Sequence, residues 1–317
     1  MMNHSRRLQN KITAGRWTLP VAILITATCQ LATDLLIPET KEITSWMNRL
    51  LSLLLCGATG YFLIVLNNMF ALIRMRASVQ TAIYFLLVTV CPTLHQLHAG
   101  NVAAAALLAS FFFLFRSYQQ MQPSSMLFHT FVCLGVGSLL FPPLIYLVPV
   151  YWIGSYMFQS LTPRSFFATI VGLLLPYWFL FGYAAWKQQW TLFTQIVAQW
   201  QPMGDTTKIL QPWEIGTLGY LAMLFVVSAS HCLLASLDDK LRTRAYLQFL
   251  ILLDVVLFAG ILFFPAFCAC WIALLLIGVS ILAGHLFVLT HSKISNLFFI
   301  CAMAGLVLLF VYNIWKQ

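Results

Sequence analysis

The chain has 317 residues, 61% of them hydrophobic and only 8% charged, whereas soluble domains carry about 25% charged residues. A water-soluble chain of this length cannot hide so much apolar surface, so its solvent is lipid. The net charge of +9, from 17 Lys and Arg against 8 Asp and Glu, fits cationic cytoplasmic loops. With no basic patch interleaved with aromatics, nucleic acid is set aside as a partner.

A polar, basic start at 1–16 precedes the first apolar run at 17–37. That run is longer than a signal-peptide core and no small-residue cleavage site follows it, so it is expected to remain as a membrane helix. Pro38 and Glu39 end it. Ile43, Trp46, Met47 and Leu50 then recur at helical spacing, which predicts a short interfacial helix. Further spans are expected at 50–73, 79–97 (interrupted by Pro92), 102–115, 126–141, 144–160 and 166–186. The prolines at 142 and 143 separate the fifth from the sixth, unless the two form one kinked element. A polar segment over 187–214, with Trp190, Trp200 and Trp213, suits a loop on the membrane surface. The remaining spans are expected at 215–234, 246–264, 267–290 and 296–314.

The fold class is therefore all-α: a polytopic transmembrane helix bundle of about 11 spans, forming a single integral membrane domain over 1–317. With the N-terminus cytoplasmic, the inner segments hold Arg6, Arg7, Lys11, Arg16, Arg74, Arg76, Arg116, Arg164, Lys240, Arg242, Arg244 and Lys293. The outer ones hold Lys41, Arg49, Lys187, Lys208 and Lys316, a bias of twelve to five. Such a bias is the positive-inside signature, and one mistaken span would scramble it.

Few residues offer chemistry. Asp254 interrupts the apolar run Leu252-Leu253-Asp254-Val255-Val256, where a carboxyl must face a partner or a wet cavity. It is either a proton or substrate contact, or a structural group joining two helices. His95, His98 and Asn101 fall at i, i+3 and i+6, which on one helix is one face. They are candidate substrate contacts or a satisfied interfacial set, since two histidines without a third ligand do not make a metal site. His129, His231 and His285 read as single interhelical hydrogen-bonders. The eight cysteines lie in or beside apolar runs without a C-x-x-C pair and read as small buried hydrophobes. Asp34, Glu39 and Glu42 gather in the first outer loop, as a base or cation site or as solvated charges at a helix start. No P-loop, nucleotide fingerprint, H-E-x-x-H or G-x-S-x-G occurs, which argues against an ATP-driven pump and against zinc or serine hydrolases. No metal or cofactor is expected.

Several short motifs follow one another in a set order. Leu66-Asn67-Asn68-Met69-Phe70 comes first, then the break at Pro92 and the pair Phe115-Arg116. Gly135, Gly137 and Pro142 follow, then Leu161, Pro163 and Arg164, then Gly172 and Pro176, and finally Lys240, Arg242 and Arg244. This order resembles a domain-of-unknown-function family of multi-pass inner-membrane proteins of Gram-negative bacteria. The resemblance implies a bacterial inner-membrane location and carries over no functional residues. The acidic first loop, followed by Ala-rich spans and a Gly-x-Gly span, also resembles C-type glycosyltransferases, which take sugars from polyprenyl-phosphate donors. That resemblance implies Asp34, Glu39 and Glu42 as catalytic candidates and a polyprenyl-phosphate-linked sugar as partner. The functions expected are an integral inner-membrane protein of envelope or surface-polysaccharide biogenesis, a glycosyltransferase-like enzyme, or a secondary transporter with Asp254 in its pathway.

Overall fold

The computed structural model describes residues 8–13, 15–36, 43–73, 78–191, 194, 210–234, 240–290 and 292–316, with the backbone alone at 31–36 and 43–46. Most of the surface loop expected at 187–214 lies outside the described residues. Every regular element among the described residues is a helix. In chain order they are α1 (Leu8–Thr13), α2 (Thr18–Leu36), α3 (Ile43–Phe70), α4 (Val79–Val90), α5 (Ala99–Arg116), α6 (Ser124–Leu140), α7 (Val148–Met157), α8 (Pro163–Lys187), α9 (Pro212–Leu234), α10 (Leu241–Phe263), α11 (Cys268–Leu289) and α12 (Lys293–Lys316). Short 3-10 turns occupy Pro92–His95, Pro142–Leu147 and Pro265–Phe267. Each starts at a proline, which has no N–H to continue the preceding helix.

Seven helices, namely α3, α5 and α8 to α12, are long and apolar enough to cross a membrane, which marks a multi-pass membrane protein. Shorter apolar stretches lie in α2, α4 and α6. The most apolar window of α11 is 94% buried, against 17–50% in the other six. A helix that is apolar all round and buried all round is an interior helix.

The structure departs from the expected boundaries in two places and decides a third. The interfacial helix expected before residue 50 is continuous with the following span in α3, because no proline or glycine breaks residues 43–56. The third span stops at Val90, and Pro92 opens a 3-10 turn instead of interrupting one long helix. At Phe141 the chain reverses. The 3-10 turn and α7 return from there to the end where α5 finishes: Ser117 Oγ donates to Ser160 Oγ at 3.2 Å, and Gln119 N–H donates to the Phe158 carbonyl at 3.0 Å. Pro142-Pro143 thus separates two antiparallel runs.

The chain divides into two compact units, one made of Met1–His98, Leu210–Leu247 and Leu275–Gln317, the other of Ala99–Ile209 and Gln248–Leu274. In the first, polar contacts gather at two ends. At one end Gln9 of α1 is buried. Its Nε2 donates to the Phe287 and Thr290 carbonyls at 2.8 and 2.9 Å, while Ser295 Oγ donates to its Oε1 at 3.1 Å. Gly284, a turn earlier on α11, faces Ile73 just beyond α3, and Arg242 lies 5.6 Å over the Phe70 ring. At the far end of α12, Asn313 Nδ2 donates to the Val90 carbonyl at 2.7 Å and to Thr217 Oγ1 at 3.1 Å.

In the second unit α5, α6, α7 and α8 alternate in direction. Phe249 is buried among Phe111, Phe115, Tyr151 and Phe158, with ring centroids 5.4–6.2 Å away, a spacing that favours edge-to-face packing. The α8 helix begins with a capping box: Thr162 Oγ1 accepts from Ser165 N–H at 3.2 Å while Thr162 N–H donates to Ser165 Oγ at 2.7 Å. Along its length α8 packs on α6 through small residues. A Cβ at Gly172 would lie 2.5 Å from the Phe128 carbonyl oxygen, and one at Gly135 would lie 2.8 Å from the Leu173 carbonyl oxygen. Membrane helices approach this closely where glycine removes the side chain between backbones. Ser138 and Tyr177 then share a 2.7 Å hydrogen bond across the pair.

The obstacle at Gly172 is backbone, which cannot rotate away. Gly172→Ala is expected to cost about 1–3 kcal/mol through overpacking and to lower the thermal midpoint of the detergent-solubilised protein. Gly182→Ala, in the same helix with nothing within 4 Å of its added Cβ, is expected to leave the midpoint unchanged or slightly raised. Equal midpoints for the two variants would refute the close α6–α8 approach.

Candidate functional site

Asp254 is well inside the 23-residue helix α10. The run from Arg244 to Asp254 is about 15 Å long and that from Asp254 to Phe263 about 14 Å at 1.5 Å per residue. Those distances put the carboxyl near the middle of an apolar layer about 30 Å thick. The side chain is fully buried, and neither carboxylate oxygen has a hydrogen-bond partner among the described residues. Glu214, in the first turn of α9, illustrates the ordinary role of an acid in such a chain: its Oε2 accepts from Gln211 N–H at 2.9 Å.

His95, His98 and Asn101 do not share a helical face. His95 closes the 3-10 turn after Pro92, Gln96 is extended, His98 precedes α5, and Asn101 lies in its first turn. A shared face needs one continuous helix, and Pro92 ends it. His95 is buried and its Nε2 donates to the Val88 carbonyl at 3.3 Å, so it serves the open end of α4. Of the first-loop acids, Asp34 falls in the last turn of α2, with its side chain outside the described residues. Glu39 and Glu42 lie outside the described residues altogether.

A cleft of about 670 Å³ lies among α2, α3 and α4. Leu19, Ile23 and Leu54 contribute apolar walls, and Thr26, Gln30 and Thr81 contribute polar groups. Thr26 is already engaged, donating to the Phe85 carbonyl at 3.0 Å and accepting from Thr89 at 2.9 Å. Most of the lining suits hydrocarbon rather than a polar solute.

One grouping is invisible in the sequence. His231 and Cys232 near the end of α9 meet His285 of α11, and their ligand atoms all lie within 4.8 Å of one another. Cys232 Sγ is 3.4 Å from His285 Nδ1, and the two imidazole centroids are 5.9 Å apart. Cys232 and His285 are buried and His231 is half-buried. Only the adjacency of His231 and Cys232 can be read along the chain, because the third member lies 53 residues beyond Cys232.

The polar side chains with defined partners at the Pro92 break act as caps. Asn313→Leu removes the donor to the Val90 carbonyl, and an orphaned buried acceptor costs about 1–3 kcal/mol. The expected result is a lower thermal midpoint in detergent with unchanged membrane insertion. An unchanged midpoint would show that another group satisfies Val90.

Comparison with protein-family models, with curated proteins and with solved structures returns no match.

Proposed function

We propose that this protein is a proton- or cation-coupled secondary transporter of the bacterial inner membrane, with Asp254 as its coupling group. The observation that carries the reading is a fully buried carboxyl with neither oxygen bonded to the described residues, midway along an apolar helix. An acidic side chain at the centre of a membrane helix costs about 2.5–3.5 kcal/mol on insertion scales. Binding a proton or a cation offsets that cost, and a group that does so at mid-depth is what a coupled carrier requires.

Eleven elements then cross the membrane, with the N-terminus on the cytoplasmic side. Support comes from the clustering of ends within each unit. Gln9, Phe70, Arg242 and Thr290 belong to segments that the alternation puts inside, and Val90, Thr217 and Asn313 to segments it puts outside. In the other unit, Ser117 and Ser160 meet at the inner end, while Tyr146 stacks on Phe264 at 5.2 Å at the outer end.

A hydrophobic carbodiimide reacts with carboxyl groups that are protonated and within reach of the apolar phase. In membranes holding the full chain, it is expected to label Asp254, with labelling that falls as pH rises or as a coupling cation is added. Asp254→Asn is expected to insert at wild-type level, escape the label, and abolish proton or cation uptake into proteoliposomes driven by a pooled solute extract. Uptake that survives Asp254→Asn would overturn the reading.

A further inference from the structure

We infer that His231, Cys232 and His285 form a three-coordinate site for a thiophilic monovalent metal ion, Cu(I). Two imidazoles and a thiol are the donor set that borderline-to-soft metals prefer, and hard cations such as magnesium or calcium avoid it. With metal–nitrogen and metal–sulfur bonds of about 2.0–2.1 and 2.3 Å, ligand atoms around a trigonal or tetrahedral ion stand roughly 3.4–3.7 Å apart. Cys232 Sγ and His285 Nδ1, at 3.4 Å, already have that separation. All three ligand atoms lie within 4.8 Å of one another.

Placement supports the same assignment. His231 and Cys232 belong to the last turn of α9, and His285 is about one turn from the end of α11. Two helices therefore hold the donors, and rigid elements position ligands better than loops do. Cys232 is 3% exposed and His285 0%, which keeps competing water away, while the half-buried His231 leaves an approach for the ion.

Charge selects the ion. On binding, Cys232 gives its thiol proton to solvent and the sulfur bonds the metal as a thiolate, while both imidazoles bind neutral. Cu(I) then yields a complex of zero net charge. Zn(II) on the same ligands leaves one positive charge in an apolar surrounding, which is costly without a counter-charge. Three ligands also suffice for Cu(I), whereas Zn(II) favours a fourth.

The test uses the full chain purified in detergent under anaerobic conditions. Titrated with Cu(I) against a competing chelator, the wild-type protein is expected to hold about one ion per chain. Cys232→Ser and His285→Ala are each expected to weaken binding at least tenfold, and Cys301→Ser, an exposed cysteine, to leave it unchanged. X-ray absorption of the wild-type complex is expected to show one sulfur and two imidazole nitrogens, a result that does not depend on any variant folding. Copper held equally well by Cys232→Ser, or a copper shell made of several sulfurs, overturns the site. Displacement of the copper by an equal amount of Zn(II) overturns the choice of metal. Asp254→Asn is expected to bind copper normally, so the site stands or falls apart from the transport reading.

Discussion

A chain in lipid has no water with which to satisfy its backbone, so each N–H and C=O must find its partner within the protein. Helices meet that demand along their length and fail it wherever they stop. This chain stops α4 within an apolar run, at Pro92, and the released groups are taken up one by one. The Val88 carbonyl accepts from Cys91 N–H and His95 Nε2, the Val90 carbonyl from Asn313, and the Leu94 carbonyl from Ser52 Oγ at 3.0 Å. Asn313 and Ser52 are thus caps supplied by other helices. Each prevents an orphaned carbonyl, which would cost about 1–3 kcal/mol.

Asp254 stands outside this pattern. Several polar groups elsewhere in the apolar runs are engaged in defined bonds, such as Thr26 with Thr89 and Ser138 with Tyr177. Its carboxyl caps nothing among the described residues and costs free energy to keep. The His231–Cys232–His285 group differs again, since its three members lie close enough to hold an ion jointly. Packing without a hydrophobic drive between helices falls to close approach, and Gly135 and Gly172 let α6 and α8 touch backbone to backbone.

How much of this is legible in the sequence depends on whether the signal is local. The apolar runs near 20 residues are helices where no proline interrupts them early, as one does at Pro92, and a lone acid within one, as at Asp254, stands out against its neighbours. The reversal at Pro142-Pro143 is legible as a break, but the direction of the returning run shows only in contacts such as Ser117–Ser160, 43 residues apart. The one-face reading of His95, His98 and Asn101 fails because spacing carries meaning only along one helix, and Pro92 ends that helix. The His231–Cys232–His285 group is illegible for the opposite reason: its members lie on separate helices, and no period relates Cys232 to His285. The acidic first loop at Glu39 and Glu42 lies outside the described residues, and its chemistry stands as the sequence leaves it.

The clamp on Gln9 sets an order of events for a growing chain. Its acceptors at Phe287 and Thr290, and its donor at Ser295, lie 278 to 286 residues downstream. During synthesis α1 therefore emerges long before its polar partners exist. Until α11 and the start of α12 are made, Gln9 has none of these partners. The polar contacts that seat α1 therefore form only after those late helices exist, the reverse of its place in the chain.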